Sequence, residues 1–432
     1  MDSRRYRGAP LWQPPDRYRT GAISTSVCLD PQHLRHCAAD SMLTEQDALS
    51  SILAAVRPLE TEELRLFEAG DRILAENVLA RVSLPRFDNS SMDGYAVRAA
   101  DAVAGAVLRV IGEQPAGPDQ GLTVNAGTAV RVYTGAPMPV GANSVVMQED
   151  CDRQGDQVTI REAASPGEFI RLRGGDLCEG QKIAEVGARL NGPLLATLAS
   201  QGIGQIRVFR RPKVAILATG SELKSPGEPL GAGEIYETNR VMLHELVQDA
   251  GGIPRLFDPV PDEENEHLRA FQDAASDDVI VIAGGVSVGE RDLVKSTLKK
   301  LGCDIELWRV AVRPGKPFLF GRLNGKWVFG LPGNPVSAFV TFLLFVRPAL
   351  LAMQGWRGES ITKTQAILSK SVTNKGERPH YLRGHLEAGR FIPFGNQESH
   401  ALFGLSRANA LLRIGAGEQI PEHQTVEVVL LA

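Results

Sequence analysis

Cysteine is scarce and unpatterned in this chain. The 432 residues include five, Cys28, Cys37, Cys151, Cys178 and Cys303, an odd number with no C-x-x-C spacing. That argues against a disulfide framework or a structural zinc site and fits a reducing cytosol. An excess of one charge is also missing. The formal net charge is −4, so neither nucleic acid nor a membrane surface is expected as a general partner. No long hydrophobic run is present. The longest apolar stretch, Val336 to Val346, stops at Arg347-Pro348. A bilayer crossing needs about 20 apolar residues, so this stretch reads as a core helix. Arg4-Arg5 is followed by no apolar segment, which rules out an export signal. No His or Cys cluster calls for a soft metal. What remains is an ordinary globular composition, 43% hydrophobic and 23% charged, long enough for about three domains.

Chemistry concentrates in three loops. Val279-Ile280-Val281-Ile282 is a β-branched run without a polar residue, as in a strand buried on both faces of a parallel sheet. It runs into Gly284-Gly285, then Ser287, Gly289, Glu290, Arg291 and Asp292, and then a helical spacing that places Asp292 near an N-cap. Lys213 to Ala218 runs in the same way into Thr219-Gly220-Ser221-Glu222. Val328 to Leu331 runs into Pro332-Gly333-Asn334-Pro335-Val336-Ser337 and an apolar helix. In open α/β sheets ligands bind at the carboxyl ends of the strands. Helix N-termini there favour an anion, most often phosphate. Trp308 to Pro317 adds Arg309, Arg313 and Lys316 around a Pro-Gly turn, three cations suited to a polyanion.

The remaining chain divides by composition. Residues 1–41 are Arg- and Pro-rich and aperiodic, so they are expected to be a disordered, dispensable extension. Thr44 followed by Asp47 marks a helix start, and Met42 is a candidate initiator. Leu64 to Val82 reads as a helix-like stretch and then a strand. Pro85 to Val97 is a polar loop rich in donors and acceptors, including Asp88 and Asp93. Val107 to Ile160 is β throughout and contains Thr134 in a Tyr-Thr-Gly-Ala-Pro turn. Arg171, Arg173 and Asp176 flank a Gly-Gly turn, and a helix follows from Leu190. Lys213 to Gly355 is one α/β unit, and Ile361 to Ala432 returns to short β segments.

Taken together, PRFDNSSMDGYAV, YTGAPMP, RLRGGD, LATGSEL, ETNRVML, IAGGVSVGERD, VRPGKP and LPGNPVSAF resemble the molybdopterin molybdenumtransferase family, which includes the gephyrin E domain. The resemblance runs in order from about Met42 to the end. It implies a multidomain α/β and β architecture. Its parts would be an elongated N-terminal domain (42–85 with 175–210), an inserted β-rich domain (86–174), a three-layer α/β molybdopterin-binding domain with a parallel-type sheet (211–357), and a small β-barrel-like domain (358–432). It implies insertion of molybdate into adenylylated molybdopterin with release of AMP, Mg²⁺ as cofactor, and a cytoplasmic homodimer. The adenylyltransferase that makes the substrate and the molybdoenzymes that receive the product are further implied partners.

By the same resemblance, Asp93, Thr134, Asp176, Glu222, Asp262 and Asp292 are catalytic, and Glu222, Asp262 and Asp292 hold the metal. Asp262 matches an Asp after the third strand of the α/β unit. Gly284, Gly285, Ser287, Gly289, Arg309, Arg313, Lys316, Pro332, Gly333, Asn334, Pro335, Arg383 and Ser399 bind the cofactor or the anion. Arg309 and Arg313 stand where many members have Lys, which keeps the charge and changes the geometry. Ser221 replaces an Asp or Asn. Two other functions share parts of the pattern: an adenylyltransferase of the related single-domain type, and a gephyrin-like scaffold. The long N-terminal half argues against the first, and the intact acidic loops argue against the second.

Overall fold

Apolar runs that leave no side chain for solvent must be covered on both faces, and the chain does this with helices. The computed structural model describes residues 42–286 and 293–431. Its α/β domain holds six strands: β1 (Lys213–Ala218), β2 (Ile253–Leu256), β3 (Val279–Ala283), β4 (Asp304–Trp308), β5 (Leu319–Leu323) and β6 (Lys326–Leu331). They lie in the order β2-β1-β3-β6-β5-β4. The first four are parallel, and β5 and β4 add an antiparallel edge. The parallel half follows from the β-branched runs. The antiparallel half was announced only by Asn324-Gly325, where both residues have positive φ (49° and 84°), the signature of a two-residue hairpin.

Four helices cover the sheet: α1 (Asn239–Asp249), α2 (Glu264–Ala274), α3 (Leu293–Lys300) and α4 (Pro335–Met353). Alternate residues of each strand face opposite sides. Val214, Ile216, Val279 and Val281 pack with Leu243 and Val247 of α1 and with Phe342 and Leu350 of α4. Ala215, Leu217, Ile280 and Ile282 pack with Phe271 of α2 and Val294 and Leu298 of α3. The result is three layers. Arg347-Pro348 does not end α4. A π turn over Phe342–Val346 intervenes, and Pro348 falls in the first turn of the segment that follows, where a missing N–H is tolerated. By length and composition α4 could cross a membrane, but 78% of its most apolar window is buried in the protein.

The helix Glu45–Ala55 is capped by Thr44, whose hydroxyl accepts from the Asp47 N–H at 3.1 Å. Ala48 and Ile52 sit in the same core as α4. Thr61–Arg65 is a strand paired with Gln205–Phe209, followed by one 3-10 turn at Leu66–Glu68. The helix-like part of this stretch is therefore only that one turn, whose Leu66 is buried in a core with Leu74, Leu190 and Leu198, and the expected strand follows at Val78–Leu79. Leu74, Leu190, Leu198 and Val208 form a core between segments more than a hundred residues apart. Between those segments lies a six-stranded sheet that includes Gly94–Val97, Val107–Gln114 and Thr128–Val132. At the C-terminal end, five strands from Lys363–Leu368 to Thr425–Leu430 close into a barrel around Leu368, Leu382, Phe391 and Val428.

Candidate active site

The crevice opens at the carboxyl ends of β1, β2, β3 and β6. Beyond β1 and β2 the backbones stay paired: the Gly220 N–H donates to the Val260 carbonyl at 3.0 Å. Ser221 and Asp262 then close the pairing. The Asp262 N–H donates to Ser221 Oγ at 2.9 Å, and the Ser221 N–H donates to Asp262 Oδ2 at 3.4 Å. Asp262 thus follows β2, the second strand of the main sheet, and the expected position after a third strand is corrected. The short intervening segments pair only with each other. The Glu222 carboxylate folds back over Gly220. A Cβ at Gly220 would lie 2.6 Å from its Oε2.

The Gly-Gly turn after β3 has no substitute. Gly284 has φ 97° and Gly285 φ 60°. A Cβ on Gly284 would sit 2.7 Å from the Thr219 carbonyl oxygen, and one on Gly285 would sit 2.4 Å from Val294 of α3. Ser287, Gly289 and Asp292 lie outside the described residues. Glu222 and Asp262 are exposed, and their hard carboxylate oxygens are the donor type that suits Mg²⁺. Among the described residues no three His, Cys, Asp or Glu side chains converge on one point.

The loop after β6 joins the crevice to the barrel. Asn239, which opens α1, donates to the Gly333 carbonyl at 2.8 Å. Asn334 donates to Ser399 Oγ at 2.9 Å, and the Val336 N–H reaches the Ser399 carbonyl at 3.2 Å. Pro335 occupies the first turn of α4, and Pro332 follows β6 directly.

The turn between β4 and β5 packs on the same helix. A Cβ on Gly315 would lie 2.6 Å from Thr341. Its backbone is stitched to the barrel: the Arg313 N–H donates to Pro379, and the Tyr381 N–H donates to the Arg313 carbonyl, each at 2.8 Å. Arg313 and Lys316 are exposed, and Arg309 has φ 78° and a buried Nε without a partner. Arg378, which sequence reasoning did not place here, donates to the Val312 carbonyl at 2.9 Å.

Arg383 is 1% exposed. It donates to the carbonyls of Asn396 and Glu398 and so shapes the loop that carries Ser399. Its Nε and Nη1 have no partner among the described residues. Unpaired donors buried this deeply are rare and costly unless a ligand completes them.

His380 shares this basic neighbourhood. Burial first, then the charges of Arg313, Arg383 and Arg378, push it down to about 4. The folded protein therefore keeps it neutral, whereas the unfolded chain takes up a proton near pH 6.5. Its contribution to stability is full above about pH 6.5 and is lost as pH falls toward 4, by about 3 kcal/mol in all. Urea midpoints of wild type and His380→Gln, compared at pH 7 and pH 5, should converge at the lower pH. A constant gap between them would exclude this linkage.

Two further candidates meet in the inserted sheet. Asp93 Oδ1 accepts from the Thr134 N–H at 2.7 Å and from its hydroxyl at 3.0 Å. Those bonds, the backbone one first, hold the Asp93 carboxyl below its usual range. Gly94 lets the loop approach its neighbour, since a Cβ there would lie 2.0 Å from the Val146 carbonyl oxygen. Arg131 was missed. Its guanidinium lies 5.1 Å from the ring centres of both Tyr95 and Tyr133, and its charge also acts on Asp93. The available signal was Arg131 two residues before Tyr133; Tyr95 faces it from the neighbouring strand through register.

Asp88 accepts from the Arg173 N–H at 2.7 Å, which ties the Gly-Gly turn before Asp176 to the Asp93 loop. Asp176 is exposed and lines a cavity of about 370 Å³ with Thr197 and Ser200. Among the described residues no hydrogen bond or ion pair joins Asp93, Thr134 or Asp176 to the crevice loops. The described candidate residues thus fall into two groups with no such bond between them.

The comparisons with known proteins agree along the chain. Residues 43–202 match the MoeA N-terminal region (domains I and II), 215–352 a probable molybdopterin-binding domain, and 365–431 the MoeA C-terminal region (domain IV). A molybdopterin molybdenumtransferase of Haemophilus influenzae is 42% identical over 317 residues, 73% of this chain and 78% of that protein. The chain belongs to the molybdopterin molybdenumtransferase family. A second relative, molybdopterin molybdenumtransferase 2 of Mycobacterium tuberculosis, is 37% identical and covers 87% of this chain and 95% of its own. The crystal structure of the molybdopterin biosynthesis MoeA protein from Pyrococcus horikoshii OT3 superimposes with a TM-score of 0.79 at 31% identity, over 90% of this chain and all of that one. The molybdenumtransferase fold thus extends over all four described parts of the molecule.

Proposed function

We propose that this molybdenumtransferase inserts molybdate into adenylylated molybdopterin and releases AMP. The observation that carries the reading is the meeting of two chemistries at one sheet edge. The acidic loops of Glu222 and Asp262 end β1 and β2, while the β6 loop binds Ser399 beside the buried, partly unpaired Arg383. Glu222, Asp262 and Asp292 would hold Mg²⁺, which would supply charge stabilisation at phosphoryl oxygens. Gly284, Gly285, Gly333 and Asn334 offer a close backbone approach to the pterin phosphate, with Ser287 and Gly289 in the same stretch. Arg309, Arg313, Lys316, Arg383 and Ser399 bind molybdate, a tetrahedral dianion that needs several donors.

The reading extends to assembly. Asp93, Thr134 and Asp176 complete the crevice of a second copy, which makes the active species a homodimer. The enzyme acts in the cytoplasm, between an adenylyltransferase and recipient molybdoenzymes. The boundaries 42–85 with 175–210, 86–174, 211–357 and 358–432 delimit its folding units. The discriminating experiment is to supply molybdopterin and ATP. An adenylyltransferase consumes ATP; this enzyme should leave it untouched and act only on the adenylylated pterin. ATP consumption at a rate comparable to AMP release would overturn the reading.

A further inference from the structure

The Ser221 position departs from the acidic or amide residue that its family pattern leads one to expect. A hydroxyl there could be a weaker ligand, or a loss. The geometry supports a third role. Ser221 and Asp262 sit on different loops, 41 residues apart, and each uses its backbone N–H to bond the other's side chain. Two hydrogen bonds in opposite directions fix both the distance and the rotation between the loops. The Ser221 hydroxyl oxygen accepts from the Asp262 N–H, so that bond sets its orientation. Asp262 Oδ2 carries the other bond, and Oδ1 has no partner among the described residues. Gly220 and Val260 hold the same two loops together one step earlier, at 3.0 Å. Ser221 is thus the last link of the β1–β2 pairing, and Asp262 is the first side chain beyond it.

We propose that Ser221 is a positioning residue that fixes Asp262 with one carboxylate oxygen free, and that it is not itself a metal ligand. The inference rests on the reading of Asp262 as a ligand. Ordering a carboxylate in advance removes an entropic cost of binding. Removing the hydroxyl should therefore weaken divalent-cation binding without changing the charge of the site. A Thr at the same position keeps the oxygen and should restore it.

The test is Mn²⁺ binding to the full-length protein, followed by its electron paramagnetic resonance signal without substrate. Ser221→Ala should weaken Mn²⁺ binding by roughly three- to tenfold, and Ser221→Thr should bind within about twofold of wild type. The unfolding midpoint should be unchanged in both, because the pair is exposed. Equal Mn²⁺ affinity in Ser221→Ala and wild type would overturn the positioning role. Failure of Ser221→Thr to restore binding would do the same. Asp262→Asn separates the two claims: if it binds Mn²⁺ as wild type does, the ligand reading of Asp262 fails, and the Ser221 proposal with it.

Discussion

Mixing inactive Asp93→Ala chains with inactive Asp262→Ala chains is expected to restore activity. Each variant alone should fall by roughly 100-fold or more in AMP release, because each removes a carboxylate that the proposed function places at the reacting centre. Within one chain, among the described residues, the Asp93–Thr134 pair shares no hydrogen bond with the crevice loops. If the two groups meet across a two-fold interface, each site takes one group from each subunit. After random exchange half of the dimers are mixed, and each mixed dimer holds one intact site. About a quarter of wild-type activity should return. No recovery after verified exchange would contradict the shared site. Full activity in a monomeric protein at micromolar concentration would contradict it as well.

Arg383→Met is the second large effect expected. Arg383 is among the largest fully buried side chains, and two of its nitrogens have no partner among the described residues. A charge-assisted bond from such a site is worth about 1.5–3 kcal/mol, so the KM for molybdate should rise by about 10- to 150-fold. The variant also leaves the Asn396 and Glu398 carbonyls without their donor. Some loss of thermal stability should therefore accompany the loss of affinity. Arg383→Lys distinguishes the two effects: it keeps the charge but loses the fork, and should recover stability more than affinity. Initial rates against molybdate concentration read this directly. An unchanged KM in Arg383→Met would reduce Arg383 to a scaffold for the Ser399 loop.

Much of this was legible in the sequence for identifiable reasons. The three Gly-bearing loops stood out because buried parallel strands leave uninterrupted apolar runs, and all three fall at the same edge of the sheet. The closed barrel and the three-layer domain followed from the family resemblance and from the change of period at Ile361. What stayed hidden depends on long-range pairing. Asp93 and Thr134 were each legible as candidates, but their mutual hydrogen bonds join residues 41 apart in sequence through sheet register. The burial of Arg383 was invisible because a lone Arg in a short β segment reads as surface. The tether at Ser221 read as a missing ligand, since a sequence shows which oxygen is absent and not which bond replaces it. The first helix was legible from Thr44 and Asp47, but where it packs was not. Its apolar face fits any core, and it lies against α4 although almost three hundred residues separate them.

The most direct measurement is a single-turnover reaction of the full-length protein with adenylylated molybdopterin and Mg²⁺, started by molybdate. AMP and molybdenum-loaded pterin are quantified at the same time points. The proposed function predicts that both rise together, in equal amounts, only when molybdate is present, and that neither forms in Asp292→Asn until Mg²⁺ is raised. Release of AMP that ignores molybdate, or release without loaded cofactor, would contradict it.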